Sequence, residues 1–321
     1  MKKIFLVLAI LVLVLVGCSS EQVNDDRLTV AVTIIPEASF VEAIAGDLLT
    51  VVTLIPPGAS PTNYQPTPKE MAAFSKADLY FTIGVGAEEA HILPNITTHN
   101  EEVQIIDLAS VVDEVYPARY FEDNDHALAE EEDHHEEDDH DEEDNHDEED
   151  KHDEEHDHEG RDPHIWMSPK RVIVMAHTIK DELQKLDPAN AEIYAANTKV
   201  FVEKLEALDA SLALSYASLS SKRFIVMHPS IGYMADDYNL EMISIEEEGK
   251  EASVSHLQKV VDYAREQDIH VVFYQQEFDS TQAETIAEEI DGEVQAYEPL
   301  SADYFGSMKA LAEAFGKATT K

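Results

Sequence analysis

Two histidines and one polar cluster stand where ligand-bearing groups gather in open α/β domains, at the ends of elements. His228 directly follows the apolar run Phe224 to Met227, in Met227-His228-Pro229-Ser230. His164 lies in Asp162-Pro163-His164-Ile165-Trp166, just ahead of a helix start at Ser168-Pro169. Gln275-Gln276-Glu277-Phe278-Asp279 follows the run Val271 to Tyr274 in the same way as His228. Such sheets bind ligands beyond the carboxyl ends of their strands. Taken singly, a histidine after a strand is more often a surface or capping residue. Two imidazoles and a carboxylate from three separate loops, however, suit a divalent metal such as zinc or manganese.

The rest of the chain narrows the chemistry. The single cysteine, Cys18, excludes a disulfide framework and any cysteine cage for zinc, so metal ligands must be nitrogen and oxygen. Gly84-Val85-Gly86 follows an apolar run, but Glu89 stands where the dinucleotide fingerprint needs its third glycine. There is no GxSxG elbow and no GxxxxGK[ST] loop. The nearest approach to HExxH, His152-Asp153-Glu154-Glu155-His156, has aspartate where the general base belongs. No motif supports a metallohydrolase, and the chain is not expected to be an enzyme. With 67 acidic against 22 basic residues, the net charge of −45 argues against nucleic acid and for cations as partners.

Much of that charge sits in one tract. Between Glu122 and Glu159 there are 24 acidic residues, one lysine and eight histidines: His126, His134, His135, His140, His146, His152, His156 and His158. So polar a stretch cannot bury enough surface to offset its ordering entropy, and it reads as a disordered loop. Acidic tracts of this kind usually only solvate and extend. Imidazoles titrating near ~6.5 are largely neutral at pH 7, so these can also form several weak metal sites that lose metal on acidification.

The elements that position the candidates alternate along the chain. Strands are expected at Leu28 to Val32, Val51 to Ile55, Leu79 to Ile83 and Gln104 to Leu108, with helices at Glu37 to Ala45 and Pro68 to Ala77. Two amphipathic helices follow the acidic tract, about Pro169 to Leu186 and about Pro188 to Leu219. The second, at ~1.5 Å per residue, would exceed about 45 Å and suits a strut between domains. Alternation then resumes: strands at Phe224 to Met227, Glu241 to Ile245 and Val271 to Tyr274, helices at Val254 to Arg265, Thr281 to Ile290 and Tyr304 to Phe315. Strands alternating with helices give an α/β fold with parallel pairing.

The chain begins with an address. Lys2 and Lys3 precede an apolar run from Ile4 to Val16, too short for a mature membrane helix but suited to a signal-peptide core. Leu15-Val16-Gly17-Cys18 resembles a bacterial lipobox, in which Cys18 becomes the lipidated first residue. The expected organisation is a signal peptide over 1–17, a tether over 18–26, and an N-terminal α/β lobe over 27–168 that includes the loop 122–159. A helical segment with the long linker helix over 169–221 and a C-terminal α/β lobe over 222–321 complete it.

Five stretches, in this order, carry a wider resemblance. They are Pro57-Gly58-Ala59-Ser60-Pro61 with Tyr64-Gln65-Pro66-Thr67-Pro68, then Asp162 to Pro169, then His228-Pro229-Ser230-Ile231-Gly232-Tyr233. Glu248-Gly249-Lys250-Glu251 and Gln276-Glu277-Phe278 with Ala283-Glu284-Thr285-Ile286-Ala287 follow. Together they resemble the metal-specific solute-binding lipoproteins of ABC importers, of the zinc-uptake type. The resemblance implies two Rossmann-like α/β lobes joined by a long rigid helix, with the metal site in the interlobe cleft. It carries over His164 and His228 as ligands, with Glu277 at the carboxylate position and Asp279 and Gln276 as rivals. The family usually has a histidine directly after the Ser-Pro pair, whereas this chain has Thr62. His91, water or a loop histidine could fill that place, and fewer imidazoles shift preference from zinc toward manganese or iron.

The expectation is thus a monomeric, lipid-anchored extracytoplasmic receptor that captures Zn2+, or Mn2+, for an ABC permease. The alternatives are a manganese- or iron-specific receptor of the same type and a surface metal-buffering or adhesin lipoprotein working through its histidine loop.

Overall fold

The computed structural model describes residues 27–121, 160–246 and 250–319. The segments expected to be a signal peptide and a lipobox with Cys18, the tract 122–159 with its eight histidines, and Glu248-Gly249 lie outside the described residues.

Two four-stranded parallel sheets share one topology. The first contains β1 (Thr29–Val32), β2 (Thr50–Thr53), β3 (Leu79–Thr82) and β4 (Gln104–Asp107), in the order β2-β1-β3-β4. The second contains β5 (Arg223–Val226), β6 (Glu241–Ser244), β7 (Val271–Gln275) and β8 (Glu293–Tyr297), in the order β6-β5-β7-β8. Residues of β1, β3, β5 and β7 are nearly all buried, as continuous apolar runs in the middle of a parallel sheet must be. In each sheet the strand order reverses between the two middle strands, which opens a crevice at their carboxyl ends.

Helices α1 (Ile35–Ala45), α2 (Pro68–Phe74) and α3 (Leu108–Asp113) flank the first sheet; α6 (Gly232–Tyr238), α7 (Val254–Glu266), α8 (Thr281–Glu289) and α9 (Tyr304–Ala318) accompany the second. Between the lobes run α4 (Pro169–Leu186) and α5 (Ala191–Ala217). α4 starts at Ser168, whose hydroxyl accepts from the Arg171 amide at 3.3 Å, with Pro169 supplying the preset first turn.

α5 is shorter than its sequence pattern implies, because Pro188–Asn190 forms a separate 3₁₀ turn; its 27 residues span about 40 Å. It reaches both lobes. Phe201 packs on Phe40 of α1 at 5.8 Å between ring centroids, and Tyr216 packs on Phe315 of α9 at 5.7 Å. One apolar cluster runs from β1 and α1 through α4 and α5 to Phe273 and Phe315, so the lobes rest on a shared core behind the cleft.

Candidate metal centre

His228 begins the turn that leaves β5. Its ring is fixed by Glu246, just beyond β6, whose carboxylate lies 2.6 Å from Nδ1. The Glu246 amide donates to the Met227 carbonyl at 2.9 Å, so the two strand exits stay paired past the sheet. His164 precedes the 3₁₀ turn Ile165–Met167. One oxygen of Asp162 receives both its backbone amide, at 3.0 Å, and its Nδ1, at 2.7 Å. An ionised carboxylate only accepts, so each ring donates through Nδ1 and leaves Nε2, which carries a lone pair in the neutral ring, for another partner.

The rings meet. Their centroids are 5.2 Å apart at 73°, and both residues are 5% exposed. Trp166 packs on the His164 ring and Phe278 on the His228 ring, at 5.1 and 5.2 Å between centroids. Burial lowers the titration point of His164, Asp162 opposes that shift and the nearby His228 adds to it; the net effect is below the usual imidazole value. A neutral ring is the form that binds metal. Burial alone would raise the Asp162 carboxyl, but His164 and then Arg119 hold it below its ordinary value.

A cavity of about 850 Å³ opens beside the pair, lined by Thr62, Gly86 and Glu88 of the first lobe together with Arg161, His164 and His228. Thr62 therefore stands on the cleft wall. The loop carrying it sits so close that a Cβ on Gly86 would lie 2.6 Å from the Thr62 carbonyl oxygen, which fixes glycine there.

The other candidates are placed differently. Glu277 does not line the cavity, but it is half-buried and its Oε2 is buried with no hydrogen-bond partner. Burial, with the charge of Glu298, raises its carboxyl above the ordinary value. Asp279 is exposed and off the cavity wall, its carboxylate taken by the Thr281 amide at 2.9 Å. His91 lies in a helical turn off the wall, and Gln276 is exposed. Among the described residues, no three His, Cys, Asp or Glu side chains are gathered closely enough to hold an ion. Among the described candidates, only the histidine pair is assembled.

Asp162 and Glu246 were not foreseen as ring-orienting groups. The sole hint was an aspartate two residues before a histidine; nothing local links Glu246 to His228.

Two parallel α/β lobes on a shared core, with donors converging at the cleft, define a two-lobed solute-binding protein. The model of the zinc-uptake complex component A, periplasmic, matches residues 30–318, and the chain belongs to that family. It is 28% identical over 304 residues to the zinc-binding lipoprotein AdcA of Streptococcus pneumoniae serotype 4, covering 94% of this chain but 56% of AdcA. The chain thus spans about half the length of those relatives. The high-affinity zinc uptake system protein ZnuA of Bacillus subtilis is 29% identical, covering 86% of this chain and 80% of that protein. The manganese-binding lipoprotein MntA of Halalkalibacterium halodurans is 24% identical, covering 85% and 81%. A crystal structure of ZnuA superposes with a TM-score of 0.76 at 33% identity, covering 92% of this chain and all of that one.

Proposed function

We propose that this chain is an extracytoplasmic receptor that captures Zn2+ in its interlobe cleft and delivers it to an ABC-type permease. His164 and His228 bind the ion through Nε2, and Glu277, with a buried oxygen free of partners, swings in as the third donor. Water completes the tetrahedral set that zinc prefers. The observation that carries this reading is the pair of adjacent rings, each held at Nδ1 by its own carboxylate. Family membership and the names of the AdcA and ZnuA relatives support zinc as cargo. No step needs a general base, since the ion is held and released unchanged.

Cys18 anchors the receptor to the cell membrane by lipid, and the histidine tract collects ions and passes them to the cleft. Among the described residues, no helix is long and apolar enough to cross a membrane.

A manganese receptor is the second reading, favoured by Thr62 on the cleft wall where the family has a histidine, and by the MntA relative. Divalent affinity rises from manganese to zinc at almost any such site, so the two are separated by equilibrium dialysis of the metal-free chain against Mn2+ in about a thousandfold excess over Zn2+. Zinc in the recovered protein supports the first reading, and manganese supports the second.

A further inference from the structure

The segment that leads into the candidate site is tied to the second lobe by Arg119, which is not itself a candidate ligand. Arg119 lies on a short antiparallel pairing with the stretch that leads to His164: Tyr120 bridges Arg161, and the Asp162 amide donates to the Arg119 carbonyl at 2.8 Å. The Arg119 amide donates to the Tyr233 hydroxyl at 3.1 Å, and that hydroxyl donates to the Asp162 carbonyl at 2.9 Å. Tyr233 belongs to α6, so the second lobe holds both strands of the pairing.

The guanidinium completes the tie. Its Nε bonds Asp236 of α6 at 3.0 Å. Its Nη1 faces Asp162 Oδ2 at 3.5 Å, and each of these buried atoms lacks any other hydrogen-bond partner. Both members of this buried ion pair sit on the paired strands that Tyr233 holds, so α6 sets how the guanidinium meets the carboxylate. The other oxygen of Asp162 is the one that orients His164. Gly232 makes the arrangement possible, because a Cβ there would lie 2.4 Å from Nη1 and 2.6 Å from Cζ of Arg119.

We propose that Arg119, seated against Gly232, is a positioning residue that clamps Asp162 and thereby couples the imidazole orientation of His164 to the contact between the lobes. The inference rests on the metal-site reading above. Groups that orient a ligating histidine are typically worth ~10–100-fold in metal affinity. Arg119 acts one bond further out, so a loss near the lower end is expected.

Gly232→Ala is the informative variant, because the added methyl meets the far end of a flexible side chain and expels the guanidinium without removing its charge. It would be compared with Arg119→Met, Arg119→Lys and His164→Ala in the metal-free full chain. Two quantities would be read: Zn2+ affinity by competition with a chelating dye, and the His164 tautomer by long-range 1H–15N correlation. The expected result is about a tenfold loss of affinity in Gly232→Ala and Arg119→Met, with the Nδ1–H tautomer giving way to a mixture with Nε2–H. Arg119→Lys, which keeps the cation, should recover part of both. If Gly232→Ala and Arg119→Met keep the parent's affinity and tautomer, or lose only melting temperature, the clamp is wrong while the metal site stands. If His164→Ala binds Zn2+ as the parent does, the metal-site reading itself fails, and the clamp with it.

Discussion

His164 and His228 meet with ring centroids 5.2 Å apart, and each is held by a carboxylate from its own side of the cleft, Asp162 for one and Glu246 for the other. Both Nε2 atoms are therefore aimed before any ion arrives. Replacing either carboxylate by its amide keeps the volume but lets the side chain flip, so that its NH2 faces the ring and favours the wrong tautomer. Asp162→Asn and Glu246→Gln should each weaken Zn2+ binding by roughly 10–100-fold, measured by dye competition. Affinity unchanged in both would mean that the rings do not ligate through Nε2.

Glu277 has the opposite problem, a buried oxygen without a partner and a carboxyl that burial raises. Its ionised form is costly in the metal-free protein. Glu277→Gln should leave the metal-free melting temperature at pH 7.5 equal to or above the parent's, and lower Zn2+ affinity by at least about tenfold, or 1.4 kcal/mol. A variant that melts lower and binds zinc normally would remove Glu277 from the site.

The pH profile of stability should carry the mark of a second buried pair. Glu88 accepts from the Ile83 and Gly84 amides and from the Thr33 hydroxyl, and burial pushes its carboxyl up to about 7. Glu37 stands well above its usual range, through burial and then the charge of Glu88. A carboxyl whose folded value exceeds its unfolded value gives stability that is complete below about 4.5 and is lost as pH rises through about 7. His164, held below its usual value, acts in the other sense, so the informative quantity is the difference from Glu88→Gln. Between pH 8 and pH 5.5 the parent should gain on that variant by a few degrees in melting temperature. A gain in the reverse direction would contradict the assignment.

Much of the frame could be read from the sequence, for physical reasons. β1, β3, β5 and β7 are buried on both faces, so they appear as unbroken apolar runs, and His228 is conspicuous because it ends one of them. β8 could not be read, since of Glu293-Val294-Gln295-Ala296-Tyr297 only Tyr297 is buried and edge position replaces pattern. α6 was missed as well, because it opens on glycine and carries Asp236-Asp237. Tertiary packing, which buries Gly232, Tyr233, Met234 and Ala235 alike, overrides its periodicity. Asp279 is a plausible ligand in sequence, yet the chain spends it on the Thr281 amide at the start of α8. The partnership of Glu246 with His228 is set by strand pairing and leaves no local trace.

The histidine tract can be removed with little disturbance to the lobes. The Phe121 amide donates to the Gly160 carbonyl at 2.9 Å, so the flanks of 122–159 already stand side by side. Replacing 122–159 by Asn-Gly would close them as a two-residue hairpin. The shortened chain should keep the tight Zn2+ event and lose the weaker ones in calorimetry. Disappearance of all binding would make the tract the working part of the protein.

The central claim is that one tight site is built on His164 and His228. Calorimetric titration of the metal-free full chain with Zn2+, beside a His164→Ala, His228→Ala variant, tests it most directly. The account predicts a single tight event in the parent that is absent from the variant, with weak events retained in both. A variant that binds Zn2+ as tightly as the parent would contradict it.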